Sequence, residues 1–407
     1  MRVVIAGAGL GGLCLAHGLR RAGVDVVVLE RHASPDAKPA SYGIHLDADG
    51  LRALHACLPE RNRTQLTETS STAPDIVRFH DQDLRVLAER DHTHTPANTD
   101  PVTRRRAVNR DALRDALLTG LNTANTGRDD VIRWGSAFDR FEYTKDGVLV
   151  HAADGHTVAA DLLVGADGAN SRVCMQRLPG LRRRDLGIVN IAGRVRLTRE
   201  LAGTLPAALV DGAVTNIVPA RPGWMFLSTW DAGAAERVIV WAWAAHRSTY
   251  PDDLGTAGPA RLLDLVRDRT GTWAAPVRRI IAETDLATVA AIPLKTMPEL
   301  PDWQPAAVTL LGDAIHAMTP MAGIGANTAL RDADTLRRHL CADTAPDARI
   351  AGYEREMRGY ANAALALSTR NARGAATTSR LPRSVFRTVL RLAEAVPPVK
   401  QRMFPVR

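Results

Sequence analysis

The first thirty residues set a glycine turn between an apolar strand and a helix, and this constrains the fold more than any other stretch of the chain. The segment reads RVVIAGAGLGGLCLAHGLRRAGVDVVVLER, with Gly7, Gly9 and Gly12 spaced as GxGxxG directly after the run VVIA. The first glycine permits a tight turn, the second lets a pyrophosphate approach the backbone, and the third lets helix and strand pack closely. Backbone N–H groups at the helix start would face the phosphates, helped by the positive end of the macrodipole. Glu30 closes the second strand, where a carboxylate accepts hydrogen bonds from a ribose diol, and Arg31 follows it. A 2′-phosphate beside Glu30 would be repelled, so the bound nucleotide is expected to lack one. This leaves NAD and FAD both open.

Composition narrows the class. The chain has 407 residues, 45% hydrophobic and 24% charged, long enough for two domains with a sizeable core. No apolar run approaches the roughly 18 residues a spanning helix needs. The N-terminus enters a strand at once rather than a signal layout, so a cytoplasmic protein is expected. Four scattered cysteines without a CxxC pair argue against a disulfide framework or a structural zinc, and His92 and His94 lack a third ligand nearby. The formal net charge of +8 is almost all arginine and comes without a nucleic-acid reading module, so no nucleic-acid partner is expected.

Two later segments decide between the nucleotides. AADLLVGADGANSRV carries an apolar strand into Asp167-Gly168, and LLGDAIHAMTPMAGIGANTALRDADTL carries another into Gly312-Asp313, then through Pro320 and small residues into a helix. With the first glycine loop, in this order, they resemble the FAD-dependent aromatic monooxygenases of the para-hydroxybenzoate hydroxylase fold. The resemblance covers roughly residues 1–345 and implies an α/β fold. In it a Rossmann-like FAD-binding domain carries an inserted mixed β-sheet substrate domain and C-terminal helices. It implies six segments: FAD-binding parts at 1–72, 101–184 and 301–345, substrate-domain parts at 73–100 and 185–300, and C-terminal helices at 346–407.

The resemblance also assigns residues. Arg110, leading the helix in VNRDALRDALL, would contact the FAD, with Leu113, Leu117 and Leu121 on that helix's apolar face. Asp167 belongs to the motif associated with FAD and NAD(P)H; Cys174 stands where members commonly carry an arginine. Asp313 would accept from a ribityl or ribose hydroxyl, its other reading being a turn or helix cap. Pro320 would rigidify the approach to the flavin. Gly323, Gly325 and Ala326 would let backbone lie against the ring, and a helix starting near Asn327 would present its positive end to the flavin N1/O2 edge. His316 falls inside this segment and reads as structural more readily than as a base. His45 is the one catalytic candidate, in a segment that passes close to the flavin in the family.

On the substrate side, three strands are predicted from GIVNIAGRVRLT, GWMFLSTWD and RVIVWAWAAH. Trp224 and Phe226 share a face of the second, and Trp241 and Trp243 a face of the third. A hairpin across DAGAAE would join them into an aromatic face, either the wall of a substrate pocket or the face that packs the sheet against the FAD domain. Near the C-terminus, SVFRTVLRLAEAV is an amphipathic helix, with Phe386, Val389, Leu390 and Ala393 on one side and Arg383, Arg387 and Arg391 on another. Docking onto the FAD domain, or service as a membrane-surface or dimer helix, would each fit.

The implied reaction uses NADH or NADPH, O2 and a flavin C4a-hydroperoxide to hydroxylate or epoxidise an aromatic or polycyclic small molecule, in natural-product tailoring, by a monomer or homodimer. Two rivals stay open: a flavin-dependent reductase or dehydrogenase of the same fold, and a non-catalytic FAD- or NAD-binding protein.

Overall fold

The runs VVIA, VVVLE, LLVG and VTL carry apolar residues at consecutive positions, the mark of strands covered on both faces. In the computed structural model, which describes residues 1–37, 43–121, 131–233 and 236–404, they lie side by side in one parallel sheet. Strand β1 is Arg2–Ala6, helix α1 Leu10–Arg21, strand β2 Asp25–Glu30, helix α2 Ala48–Cys57 and helix α3 Arg110–Leu118. Strand β3 is Ile132–Trp134, β4 Leu162–Gly165, helix α4 Arg172–Arg177, strand β5 Val308–Leu310 and helix α5 Gly325–Leu340. The strand order is β5-β4-β1-β2-β3, and the core residues Val3, Val4, Ile5, Val28, Leu163 and Val164 are fully buried.

The chain divides into two compact units. Unit 1 comprises residues 1–70, 110–184 and 295–369; unit 2 comprises 71–109, 185–294 and 370–407. Residues 101–109, placed above with the FAD-binding segments, fall in unit 2, and the C-terminal helices divide at residue 369 instead of forming a block of their own. Ser41–Tyr42, ahead of the short strand Gly43–Leu46, and residues 234–235 of the hairpin turn lie outside the described residues. In unit 1 the turns at Asp146-Gly147 and Asp154-Gly155 join three antiparallel strands, Phe138–Thr144, Gly147–Ala152 and Thr157–Ala160.

Unit 2 holds a seven-stranded mixed sheet in the order 285–296, 184–196, 236–246, 224–233, 214–217, 76–80, 86–91. Val214–Ile217 pairs parallel with Ile76–His80, and the neighbouring pairs along 184–246 are antiparallel. The helices Pro259–Thr270 and Ala275–Ala282 contribute Leu262, Val266, Val277 and Ile280 to the core on one face. The helix α7, Arg380–Ala395, follows the long helix α6, Pro346–Ala375. Its docking site is in unit 2, not the FAD domain: Leu390 is buried with Leu87, Ala88 and Val218, and Arg383 donates to the carbonyls of Gly223, Ala375 and Thr377. Among the described residues no helix is long and apolar enough to cross a membrane.

The packing of α1 carries a titration. His17 is buried, its Nε2 donating to the Leu117 carbonyl at 2.8 Å, and burial pushes its pKa down to about 4. Between pH 6.5 and about 4 the unfolded chain takes up a proton that the folded chain refuses. Stability is therefore expected to fall with pH across this window, by about 3 kcal/mol in full. Urea unfolding at pH 7 and pH 5 reads the loss, which His17→Gln should reduce.

Candidate active site

β1, β2, β4 and β5 are parallel, so their carboxyl ends fall on one edge of the sheet, the edge where open α/β sheets bind ligands. This edge brings together the glycine loop after Ala6, Glu30, the segment after Gly165 and the segment after Leu310. Gly7 has φ +113°, and a Cβ there would lie 2.4 Å from the Ala166 carbonyl oxygen. A Cβ on Gly12 would lie 2.2 Å from the Gly7 oxygen and 3.3 Å from Ile5, which is the helix–strand contact expected of the third glycine. Around Gly9 the nearest heavy atom to a Cβ is 4.0 Å away, so the loop is open where the second glycine is needed.

Glu30 is buried and oriented. Its Oε2 accepts from the Ala8 N–H at 2.8 Å, and its Oε1 accepts from the His32 N–H at 2.9 Å and lies 2.6 Å from His32 Nδ1. Arg31 is exposed beside it, and Arg110 is the exposed first residue of α3. Asp167 is engaged within its own segment, accepting from Ser171 Oγ at 2.5 Å and from the N–H groups of Arg172 and Val173 at 2.7 and 3.3 Å. Burial nonetheless holds its pKa above the usual value. Cys174 is buried, and its thiol is pushed up to about 11 by burial and by Asp167.

Asp313 is exposed and opens the four-residue helix Asp313–His316; the cap position is Gly312, where no side-chain cap bond forms. Pro320 is exposed at the start of a 3-10 turn, and Gly323 closes that turn at φ +67°, a left-handed position suited to glycine. Helix α5 starts at Gly325, two residues before the expected Asn327, so Gly325, Ala326 and Asn327 form its first turn. Asn327 is buried and works as a clamp: Nδ2 donates to the His45 carbonyl at 2.9 Å and Oδ1 accepts from the Asp47 N–H at 3.1 Å. It thereby fixes the backbone of the strand that carries His45.

His316 is structural. It is fully buried, with Nε2 2.6 Å from Asp332 Oδ2, and the same oxygen accepts from the Gly312 N–H at 2.7 Å. Asp332 Oδ1 accepts from Tyr360 at 2.6 Å, and the Arg331 guanidinium lies 4.1 Å from the Tyr360 ring centroid. Burial alone would lower the His316 pKa, but the Asp332 carboxylate outweighs it and the net direction is upward. Asp332 thus ties the turn at Gly312 to α5 and α6, a role sequence reading missed. The signal was there: an acid set among Leu330, Ala333 and Leu336 falls on the buried face of the helix, where it needs partners.

The joined aromatic face does not form. The hairpin does, but its register opposes Leu227 to Trp241 and Met225 to Trp243, which puts both of these tryptophans on the face opposite Trp224 and Phe226. Trp241 is fully buried and donates to Thr284 Oγ1 at 2.9 Å; Trp243 lies 5.5 Å from Trp273 by ring centroids. Both belong to the helix-covered core of unit 2, packed with residues of its own helices and not, as expected, against the FAD domain. Trp224 Nε1 donates to Asn216 at 2.8 Å, and its ring lies 6.1 Å from that of Phe79 and 5.9 Å from that of Phe386 by centroids. Phe226 is half-buried, in one row across the sheet with Phe79, Asn216, Ala242 and Ala192.

The residues present fit an FAD. Helices α1 and α5 have no side-chain cap bond at their N-termini, leaving first-turn N–H groups for an external acceptor at the same sheet edge as Glu30 and Asp313. Comparison with known proteins agrees. A family model described as FAD binding domain matches residues 1–368. The dual O-methyltransferase/FAD-dependent monooxygenase CTB3 of Cercospora beticola is 28% identical over 406 residues, covering 88% of this chain; the chain spans 44% of that relative's length. The FAD-dependent urate hydroxylase of Klebsiella pneumoniae is 29% identical over 346 residues, covering 83% of this chain and 80% of its own. A solved chain from Photorhabdus luminescens, provisionally assigned as an FAD-containing monooxygenase, superposes with TM-score 0.83 at 37% identity, covering 92% of this chain and 98% of that one. HpxO of Klebsiella pneumoniae, solved with FAD and uric acid, shares the fold at TM-score 0.78 and 23% identity, over 98% of this chain and 95% of its own.

Proposed function

The chain belongs to the FAD-binding-domain family, FAD-dependent aromatic monooxygenases of the para-hydroxybenzoate hydroxylase fold, and from this premise we propose that it hydroxylates or epoxidises an aromatic or polycyclic small molecule with NADH or NADPH and O2. Tailoring of a natural product, by a cytoplasmic monomer or homodimer, is the setting that goes with this reading. The observation that carries it is the convergence of two uncapped helix N-termini, Glu30 and Asp313 on one sheet edge. Bound there, FAD supplies the redox chemistry and the activation of oxygen.

The protein's part is to bind, orient and exclude water. The first-turn N–H groups of α1 hold the pyrophosphate, with Gly9 leaving room for it, and Glu30, already oriented by Ala8 and His32, takes the ribose hydroxyls. Asp313 and Arg110 are assigned to FAD hydroxyl and phosphate oxygens, with Arg31 and Asp167 at the rim. The N-terminus of α5 favours negative charge on the reduced ring, a contribution of about 0.3–2 kcal/mol from the helix end alone. No acid–base triad is required, and His45 serves through the backbone position that Asn327 fixes.

For the substrate, the reading favours the sheet face that carries Phe226, Ala192 and Ala242 over the helix-covered face. Phe226→Ala is expected to raise KM about ten-fold with little change in stability, since truncation removes roughly 1.5 kcal/mol of apolar contact. Trp241→Ala should instead cost about 3–5 kcal/mol of stability and leave the KM of the folded enzyme unchanged. Steady-state kinetics beside thermal unfolding separates the two. The reaction class is tested by screening phenols and polycyclic aromatics for stimulated NADH or NADPH oxidation and weighing the product. A gain of one oxygen supports the proposal; a change of two hydrogens assigns a reductase or dehydrogenase, and no stimulated turnover a binding protein.

A further inference from the structure

Helix α7 has two apolar faces, and the fold uses only one. Leu390 and Ala393 are buried against unit 2, and Phe386 lies 5.9 Å from Trp224 by ring centroids. On the opposite side Leu381, Val385 and Leu392 recur at the i, i+4, i+11 spacing of a narrow helical stripe, and they are 73%, 54% and 49% exposed. Leu381 is the most exposed large apolar residue of the described chain. Arg380 and Arg391, both exposed, run along one side of the stripe. Residues 370–407 hold nine arginines and lysines against one acid, Glu394; Arg383 is spent on buried carbonyls, Arg387 lies 3.7 Å from Asp81 and Lys400 3.0 Å from Glu394, so Arg380 and Arg391 are the exposed cations on α7 itself.

We propose that α7 is an interfacial helix which docks the protein reversibly on an anionic lipid surface, the Leu381–Val385–Leu392 stripe entering the headgroup boundary and the arginines meeting lipid phosphates. A basic helix that keeps one apolar stripe free of its own core has the layout of a surface-lying anchor, and anionic lipid draws a polybasic segment to it. Charge complementarity selects this occupant over others. A second copy would set Arg380 and Arg391 against the same arginines of its partner, which like-charge repulsion opposes. A nucleic acid would meet the arginines and leave the leucines in water. The proposal is independent of the reaction assigned above.

The test is co-sedimentation of the FAD-loaded full chain with phosphatidylcholine vesicles, with and without roughly 30% phosphatidylglycerol. Binding is expected on the anionic vesicles, weakening as salt rises. The variant Leu381→Ser/Val385→Ser/Leu392→Ser should bind about ten-fold more weakly or worse, as should Arg380→Glu/Arg391→Glu, each with the parent's thermal midpoint. Should the serine variant fail to fold, the charge-reversal variant decides alone. Equal sedimentation with both vesicle types, or undiminished binding by the variants, overturns the proposal. So does a dimer that the serine variant dissolves while neither form binds vesicles, which would assign the stripe to a second copy.

Discussion

Gly12→Val is expected to lose both FAD and much of its stability, whereas Gly9→Ala loses FAD alone. A Cβ on Gly12 falls 2.2 Å from a backbone oxygen, Gly7 O, and 3.3 Å from both Ile5 and Ala166. None of these is the free end of a flexible side chain, so α1 would have to lift from β1. Overpacking of this kind costs about 1–3 kcal/mol or more, and it displaces the N–H groups that face the phosphates. Gly9 meets nothing nearer than 4.0 Å, so an added methyl leaves the fold intact and fills only the approach of the pyrophosphate. Fluorescence titration with FAD should show both variants weakened about 100-fold or more, roughly 2.7 kcal/mol. Thermal unfolding should show a drop for Gly12→Val only. Equal stability losses in the two would undo the division of labour between these glycines.

Asp332→Ala should be the most destabilising single change among the polar residues discussed. It removes the acceptor for His316 Nε2, the Gly312 N–H and the Tyr360 hydroxyl at once, in a site with no exposure. Breaking a buried pair by deleting one partner costs about 3–5 kcal/mol, on the order of 10 °C for a unit of this size. The pair also gives a pH dependence. The His316 pKa is raised in the folded protein, so its contribution is complete below the unfolded value near 6.5 and is lost as pH rises through the higher folded value. Wild-type stability should fall across that window, and Asp332→Asn, which leaves no carboxylate, should flatten it. A pH profile unchanged in Asp332→Asn would show that the charge of the pair is not the source.

The two ends of this protein's chemistry differed in how far the sequence made them legible. The parallel sheet, the glycine turn and the Gly312-Asp313 segment are local: each rests on the strand, turn and helix in which it lies, so their residue order was enough. The start of α5 moved by two residues because glycine can enter a helix's first turn, and the sequence marked Asn327 only as a polar residue near a helix start. Its clamp on residues 45–47 and the Asp332–His316–Tyr360 group join positions far apart in the chain, which no spacing encodes. The tryptophans failed for a different reason. Period-two alternation identified the faces of each strand correctly, but pairing depends on register, and a one-residue offset sends Trp241 and Trp243 to the other side of the sheet from Phe226. Helix α7 was visible as amphipathic, and its docking partner, in unit 2, was set by packing alone.

The proposed function requires FAD at the carboxyl edge of the unit 1 sheet. The purified protein should be examined for flavin absorbance, and the cofactor released on denaturation separated by chromatography. FAD, released in near-equal amount to protein or taken up on addition and lost in Gly9→Ala, is the predicted result. A colourless protein that takes up no added FAD, with its thermal midpoint unmoved by the nucleotide, would contradict it.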